Sequence, residues 1–442
     1  MRLVGLYFHI PFCRSRCGYC SFVSGCDLSQ RGCYTAALLR AIETAPFADC
    51  TAATLYFGGG TPTLLGEALI DLLAAVRQKL PLAPDAEITV EANPGTVTLP
   101  LLQRLRQAGF NRISFGLQDC EDEVLRLLGR CHTVAQGEAA VQMAKQAGFT
   151  NISADLMLAT PGQTPEKARR LAEYGLSLGI PHLSSYLLKI EPGTPFDSAG
   201  MAARCPDDDT AADCYLAYYQ ALEQAGFSHY EISNAALPGY ESRHNCAYWQ
   251  LREYLGFGPG AASFFGGRRF RFPDSLAAFL SGADPWSLPV QEGPGGDWEE
   301  ALMLSLRLSS GLTPGLAARY GRDYAALLRR AAPLGLAGLL RADGERIALT
   351  DRGFLLSNQV ILTLLGCPPA ASRLRPAPLP LSRFPVPSHT LHFSPRRSPL
   401  CPVIPALSCS FWPPPFCGAA SACSATPFPP SAFSRWRSPR SA

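Results

Sequence analysis

Hydrophobic and polar positions in the first 230 residues form short apolar runs separated by longer stretches with helical periodicity. The short runs predict strands at residues 3–10, 54–57, 87–91 and 182–189, and a helix is predicted at 68–80. Strands that alternate with helices favour a parallel sheet with helical crossovers. About six such units precede residue 195, which predicts an α/β fold built as a partial (β/α)6 barrel.

An internal repeat supports this pattern. The string QAGF occurs three times, and each copy ends a helical stretch that is followed by a strand-like run. Gly109, Gly148 and Gly226 stand where a left-handed glycine commonly stops a helix. A further helix is predicted to start with Thr164 as its N-cap and Pro165 in its first position.

Residues whose side chains can bind ligands or take part in catalysis follow the ends of the predicted strands. In strand order they are Cys13, Cys17 and Cys20, then Gly58 to Thr61, then Glu91, then Gln118, and Asp155 within the fifth strand. In barrels of parallel strands the functional residues gather at the carboxyl ends of the strands. Such residues occur at five of the predicted strands, which weakens the alternative that polar residues stand there by chance.

Three cysteines form the pattern C-x3-C-x2-C in FHIPFCRSRCGYCSF. Structural zinc takes four protein ligands, and a four-iron cluster normally takes four thiolates. Three thiolates on one short loop would therefore leave one iron open to bind another molecule. Cys26 and Cys33 are possible fourth ligands, although they lie beyond the compact loop.

The segment YFHIPFCRSRCGYC resembles the cluster loop of radical S-adenosylmethionine (SAM) proteins. In that superfamily the open iron binds the amino and carboxyl groups of SAM, and reduction of the cluster produces a 5′-deoxyadenosyl radical. Residues 4–366 resemble the oxygen-independent coproporphyrinogen oxidase group, and more closely its HemW-type haem-chaperone branch. The resemblance implies a 4Fe-4S cluster on Cys13, Cys17 and Cys20, with SAM as a second cofactor.

The same resemblance implies a set of SAM-binding residues in separate motifs. They are Tyr7 before the cluster loop, Gly59, Gly60 and Thr61 in GGGTPT, Glu91 in VEANPGT, Gln118 in SFGLQD, Arg130 in LGRCH and Asp155 in SADLML. Carboxylates accept hydrogen bonds from ribose hydroxyls or an amino group, and arginine pairs with a carboxylate. From the residues alone, the favoured alternative is that Glu91 and Asp155 are turn residues at strand ends and that Arg130 is a solvated charge at a helix end.

The string HNCAYW at 244–249 is similar to the HNxxYW motif of the chaperone branch, where it is implicated in haem binding. An imidazole can ligate iron, and aromatic rings offer flat apolar faces to a porphyrin. The haem-binding candidates are His244, Asn245, Tyr248 and Trp249, with Cys246 as a second possible axial ligand. The alternative is that His244 is an ordinary hydrogen-bonded histidine and Trp249 anchors the core.

Two features separate the chaperone branch from the oxidases. The oxidases carry a further cysteine where this chain has Phe22, and they have an N-terminal arm, whereas six residues precede Tyr7 here. We therefore expect a haem chaperone that delivers haem to apo-haemoproteins such as respiratory enzymes and takes electrons from a donor. Ser21 stands where the branch commonly has aspartate.

Two alternatives to a haem chaperone stay open. One is an oxygen-independent coproporphyrinogen III oxidase, which would decarboxylate its substrate by radical chemistry. The other is a radical enzyme that acts on another substrate, in which HNCAYW is only structural.

Residues 297–366 change in character. Helical patterns at 297–312, 324–332 and 354–365 enclose a hairpin whose turn is Asp343-Gly344, which predicts a winged-helix-like domain. The predicted organisation is a barrel at 1–235, a connector with the HNxxYW segment at 236–296, this domain, and a tail at 367–442.

The amino-acid composition of the tail changes how the net charge of the chain is interpreted. The 76-residue tail holds 18 prolines and 8 arginines but no Lys, Asp or Glu, which predicts disorder and raises the hypothesis of a wrong reading frame. Because the whole chain carries +3 and the tail +8, residues 1–366 carry −5. We therefore expect no nucleic-acid partner and at most peripheral membrane contact. The sequence shows neither a secretory leader nor a spanning segment, and a cluster protein needs a reducing compartment, so we expect a cytoplasmic location.

Overall fold

The computed structural model describes residues 2–282 and 284–366. The predicted disorder at 367–442 lies outside these residues. Six strands between residues 2 and 187 lie side by side in chain order, and every neighbouring pair is parallel. The α/β fold with a partial barrel of parallel strands is therefore confirmed.

The first three parallel strands extend beyond their predicted bounds, whereas the strand predicted at 182–189 ends two residues earlier, at Leu187. The parallel strands are β1 Arg2–Ile10, β2 Cys50–Gly59, β3 Leu82–Ala92, β4 Arg112–Gln118, β5 Asn151–Leu158 and β6 His182–Leu187. The later strands are β7 Ser228–Glu231, β8 Asn234–Ala236, β9 Tyr254–Phe257, β10 Ala262–Phe265, β11 Arg268–Arg271, β12 Val290–Pro294, β13 Leu340–Ala342 and β14 Ile347–Leu349.

Helices fill the connections between these strands. Through the barrel they are α1 Arg31–Glu43, α2 Ala68–Lys79, α3 Leu99–Ala108, α4 Asp122–Leu128, α5 Val134–Gln146, α6 Pro165–Ser177, α7 Pro195–Ser198 and α8 Asp208–Gln224. The remaining helices are α9 Arg243–Trp249, α10 Leu276–Leu280, α11 Trp298–Ser305, α12 Pro314–Arg319, α13 Tyr324–Leu336, α14 Asp351–Leu355 and α15 Ser357–Leu365. Within the residues that the structure describes, no helix is both long enough and apolar enough to cross a bilayer.

The predicted helix ends are confirmed. Gly109, Gly148 and Gly226 have φ of 109°, 90° and 86°, in the left-handed region that glycine adopts without strain. The Thr164 hydroxyl accepts a hydrogen bond from the amide of Lys167, which caps α6.

Both edges of the parallel sheet carry strands that the repeat did not predict. Strand β9 pairs with β1 in parallel, and β10 to β12 continue from it in antiparallel order. At the other edge β8 and β7 add antiparallel strands beside β6. The third QAGF unit therefore leads into a hairpin, because two residues between β7 and β8 are too few for a parallel crossover.

The concave face of the barrel is polar. Along β3, Glu87, Thr89 and Glu91 point inward, whereas Ile88 and Val90 are buried on the opposite face, as the alternation of a strand requires. Helix α9 closes the amino end of the barrel, because the backbone N–H groups of residues 243 and 244 both donate to the Glu87 carboxylate at 3.0 Å. The carboxyl ends of the strands form the opposite end of the barrel.

The C-terminal region has the predicted hairpin, with the turn at Asp343-Gly344 between β13 and β14. The prediction of one last helix was wrong. Leu356 has φ of −111° and ψ of 18°, outside the helical region, and separates α14 from α15. Helix α12 was also not predicted. The apolar core runs continuously from the barrel into this region.

Candidate functional site

The three cysteines lie on a loop that directly follows β1. The amide of Cys13 donates to Gly25 O at 2.9 Å, and the amide of Gly18 donates to Leu128 O at 3.1 Å, so the loop is held from both sides. The three thiols are partly exposed. Burial, followed by the neighbouring thiols, raises the pKa of the Cys20 thiol to about 11, so metal binding there must displace a proton.

The number of thiols on the loop matches a polynuclear cluster. Among the described residues, no three His, Cys, Asp or Glu side chains converge around one ion position. A four-iron cluster offers a separate iron to each thiolate, so its ligands do not need to meet at one point. Three thiols on one loop, with no fourth cysteine beside them in the pattern, match such a cluster with one iron left open.

A chain of polar contacts joins two of these cysteines. The Thr61 hydroxyl lies 3.8 Å from Cys13 Sγ and accepts a hydrogen bond from Asn93 Nδ2 at 2.8 Å. Arg130 donates to Asn93 Oδ1, and its other terminal nitrogen lies 3.5 Å from Cys17 Sγ. Thr61 and Arg130 were predicted from their motifs, whereas the bridging role of Asn93 was not. Such contacts orient ligands and tune a metal centre.

The glycine run allows β2 to pack closely against the cluster loop. A Cβ atom on Gly60 would lie 2.6 Å from Phe12 O and 3.0 Å from Cys13 Sγ. Gly59 has φ of 108°, and a Cβ there would lie 2.6 Å from His9 Nδ1. Glycine lets a backbone approach its neighbour closely, and in this structure the close approach is to the cysteine loop and His9.

Two half-buried carboxylates, Glu91 and Asp155, lie at this end of the barrel. Glu91 accepts a hydrogen bond from the Tyr56 hydroxyl at 2.7 Å and another from the Gly59 amide at 3.1 Å. Burial, followed by the nearby Asp155, raises the pKa of Glu91 to about 7. Asp155 accepts from Ser114 Oγ at 3.0 Å, and burial also raises its pKa. Both carboxylates keep free lone pairs for a cationic or hydroxylated ligand.

Unpartnered polar atoms lie at the same end of the barrel. Gln118 is the last residue of β4 and has φ of 73°. Its Oε1 atom and Arg130 Nε are buried without a hydrogen-bond partner among the described residues. Buried polar atoms are normally satisfied, so such atoms are available to a polar ligand. Carboxylates, an amide and a guanidinium together fit the amino, carboxyl and ribose groups of SAM.

Tyr7 lies below this end, in the barrel interior. Its hydroxyl is 3.1 Å from His9 Nδ1, and His9 Nε2 is 2.7 Å from Val23 O. Because a carbonyl only accepts, Nε2 of a neutral His9 carries the proton and Nδ1 accepts from Tyr7. Burial lowers the pKa of His9, which keeps it neutral. The Tyr7 hydroxyl therefore already donates its hydrogen bond to His9.

The motif residues lie on α9 and are all buried. His244 is 1% exposed, its Nδ1 lies 2.7 Å from Thr54 Oγ1, and its Nε2 lies 2.8 Å from the Tyr248 hydroxyl. Burial, followed by the positive charge of Arg112, lowers the pKa of His244 to about 3. Asn245, Tyr248 and Trp249 are also buried. These contacts are the ones expected if His244 is an ordinary hydrogen-bonded histidine. Contact of His244 with haem stays a prediction.

Several residues of this interior were not predicted. Tyr56 contacts Glu91, Thr54 contacts His244, and Arg112 is 2% exposed on the inward face of β4. The opposite charges of Glu87 and Asp155 lie near Arg112. The alternation of each strand would have placed these residues on the polar face. It could not show that the face encloses an interior in which a charge is buried.

Comparison with known proteins identifies the family. The Radical SAM superfamily matches residues 7–175, and the HemN C-terminal domain matches residues 297–356. The heme chaperone HemW of Mycobacterium tuberculosis (strain H37Rv) is 38% identical over 378 residues, which cover 82% of this chain and 95% of that relative. The chain belongs to the HemW family. The HemW of Escherichia coli is 40% identical over 276 residues, covering 61% of this chain and 71% of that protein.

A solved structure agrees with the fold. Coproporphyrinogen III oxidase (HemN) from Escherichia coli, a radical SAM enzyme, matches with a TM-score of 0.70 and 26% identity. The match covers 82% of this chain and 90% of that one. Membership of the HemW family and the radical SAM superfamily confirms the predicted resemblance, and a 4Fe-4S cluster and SAM are the cofactors that the superfamily implies.

Proposed function

We propose that this chain is a haem chaperone that binds haem and passes it to apo-haemoproteins such as respiratory enzymes. The observation that carries the proposal is one barrel with a thiol loop for a cluster at one end and the HNCAYW helix at the other. HemW relatives carry the name heme chaperone. Phe22 replaces the further cysteine of the oxidases, which also favours the chaperone.

The cofactor roles follow from the side chains at the carboxyl end. Cys13, Cys17 and Cys20 would hold the cluster, which with bound SAM would supply one-electron reductive chemistry. Glu91 and Asp155 accept hydrogen bonds from amino and hydroxyl groups of SAM. The other residues that would contact SAM or support its site are Tyr7, Gly59, Gly60, Thr61, Gln118 and Arg130. Since the thiols are partly exposed, an electron donor would dock over the cysteine loop.

The haem role is proposed for the motif helix. Since His244, Asn245, Tyr248 and Trp249 are buried, direct contact with haem requires α9 to move and the hydrogen bonds of His244 to open. On the outward side of α9, Cys246 lines a cavity of about 220 Å³ together with the apolar Leu3 and two arginines, Arg243 and Arg252. Arginines pair with carboxylates such as the haem propionates. Haem would therefore approach α9 from this side.

One experiment tests this function. The full chain is reconstituted anaerobically with iron and sulfide and is titrated with haem. In a second reaction it receives coproporphyrinogen III, SAM and a reductant. A chaperone gives stoichiometric haem binding that His244→Ala or Cys246→Ser weakens, transfer to an apo-haemoprotein, and no decarboxylation. Protoporphyrinogen formation would instead establish the oxidase, the second candidate, which the structural likeness to HemN favours. We also propose a cytoplasmic location, since the chain has partly exposed thiols.

A further inference from the structure

A stack of aromatic rings runs through the barrel from α9 towards the cofactor site. The imidazole of His244 stacks on the ring of Tyr56, with centroids 5.1 Å apart and planes at 25°. Tyr7 stacks beside both, 6.1 Å from Tyr56 and 6.5 Å from His244. All three side chains are buried, so the rings have little freedom to move independently.

The inward-facing residues of β2 and β3 connect the amino end of the barrel to its carboxyl end. Thr54, Tyr56 and Gly58 alternate along β2, and Glu87 and Glu91 stand four residues apart on β3, about 13 Å along the strand. Thr54 and Glu87 hold α9, whereas Gly58 and Glu91 lie at the cofactor end. Tyr56 lies between the two levels and contacts both.

Tyr56 connects the two ends through one hydrogen bond. Its ring packs on His244, and its hydroxyl donates to Glu91 Oε1 at 2.7 Å. The other oxygen of Glu91 accepts from the Gly59 amide at 3.1 Å. Glu91 is therefore oriented at both oxygens, and one of these two contacts depends on where the Tyr56 ring lies.

His244 is itself fixed firmly enough to support Tyr56. Its ring nitrogens are 2.7 Å and 2.8 Å from two hydroxyl groups, those of Thr54 and Tyr248. Its backbone amide donates to Glu87 at 3.0 Å. We propose that His244 is a positioning residue for the SAM site: its ring holds Tyr56 in place, and the Tyr56 hydroxyl orients Glu91. This inference rests on the proposed cofactor role of Glu91 and applies to the conformation in which α9 closes the barrel.

The test measures SAM affinity by equilibrium dialysis on the full reconstituted chain, without haem. Tyr56→Phe keeps the ring and removes the hydroxyl, and we expect binding about tenfold weaker, the size expected for a lost hydrogen bond to a charged group. His244→Ala removes the support for Tyr56 and should weaken binding about fivefold. His244→Phe keeps a flat ring but cannot ligate iron, and it should retain nearly wild-type SAM affinity.

A matched control removes a similar hydrogen bond elsewhere. Tyr215 is buried, and its hydroxyl donates to Ile232 O at 2.8 Å. Tyr215→Phe should leave SAM affinity unchanged. Urea unfolding of each variant separates lost stability from lost positioning, because His244→Phe leaves two buried hydroxyls without their partner and should be less stable while still binding SAM.

The outcomes separate the hypotheses. Unchanged SAM affinity in Tyr56→Phe, or equal losses in His244→Ala and His244→Phe, would overturn the positioning role. If His244→Ala does not fold, Tyr56→Phe and His244→Phe still decide the question. Normal SAM binding by the Glu91→Gln variant would show that Glu91 has no role in binding the cofactor. Absence of haem binding in the wild-type chain would reject the chaperone function and leave these affinities interpretable.

Discussion

The two ends of the barrel differ in how their central side chains are held. At the carboxyl end the three thiols are partly exposed, and Gln118 Oε1 and Arg130 Nε are buried without a described partner. At the amino end both ring nitrogens of His244 and both oxygens of Glu87 have partners. On α9 itself, Asn245 Oδ1 and Trp249 Nε1 are also buried without a hydrogen-bond partner among the described residues. The contrast therefore concerns the central residues: His244 and Glu87 hold α9 across the amino end, whereas the half-buried cysteines and unpartnered atoms of the carboxyl end are available to a ligand.

Loss of one cluster thiol should have the largest effect. Cys17→Ala should abolish the visible absorption of a four-iron cluster, since three thiolates are the smallest set that holds it here. Iron and sulfide analysis after anaerobic reconstitution measures this. Cys26→Ala and Cys33→Ala, at exposed positions, should keep the spectrum. Its loss in either one would identify a fourth ligand and contradict an open iron.

Trp249→Ala should show that the motif end carries the stability of the fold. Trp249 is 3% exposed, and removing a buried aromatic ring costs about 3–5 kcal/mol of unfolding free energy. Urea denaturation measures the loss. Leu336→Ala, at a side chain that is 93% exposed, serves as the control and should change little. A marginal loss in Trp249→Ala would mean that α9 is loosely held.

Glu87→Gln tests how α9 is attached. The carboxylate accepts two backbone N–H bonds, and an amide can replace only one acceptor, so we expect a loss of about 1–3 kcal/mol. The cluster spectrum should stay unchanged, because the other end of the barrel is not touched. Asp85→Asn is the matched control, since that carboxylate is 75% exposed and its pair with Arg243 lies at the surface. Equal effects would contradict a special role for Glu87.

SAM binding should depend on pH around neutrality. Glu91 has a pKa of about 7, and only its ionised form attracts an ammonium group, so affinity should fall as pH decreases through 7. The fall approaches about tenfold per pH unit below that value. The charged or titratable groups that face Glu91 are Tyr7, Tyr56, Arg112, Asp155, Tyr186 and Tyr248.

Equilibrium dialysis between pH 6 and 8 checks this dependence. Glu91→Gln should flatten it, because an amide does not titrate in this range. A pH step that persists in Glu91→Gln would assign the dependence to Asp155, whose pKa is also raised by burial.

The smallest effect should come from Arg130→Lys. Lysine keeps the positive charge but loses the planar fork that reaches both Asn93 and Cys17. Fewer hydrogen bonds to the thiolate sulfur should make the reduction potential of the cluster more negative. Potentiometric titration followed by EPR measures it. Arg126→Lys, at an exposed position on α4, is the control, and an equal shift there would indicate a general charge effect.

Strand order and the placement of the thiol loop could be predicted because both depend on local patterns. The repeat of helix, left-handed glycine and strand is encoded by neighbouring residues, and parallel strands necessarily bring their carboxyl ends to one edge. The contact of Asn93 with Thr61 and Arg130 was not predicted, since it joins residues up to 37 positions apart. The antiparallel strands at both edges also depend on long-range pairing.

Local sequence patterns are sufficient for the class of chemistry, because the spacing of Cys13, Cys17 and Cys20 and the ordered motifs indicate a radical SAM protein of the HemW family. The contacts of His244 follow from the folded chain and not from its motif. A histidine in a motif is written the same way whether it faces a ligand or is buried, and the burial of His244 against Thr54 and Tyr56 depends on a strand about 190 residues away in the sequence. The charge state and hydrogen bonds of a side chain are set by that enclosure, which no local pattern encodes.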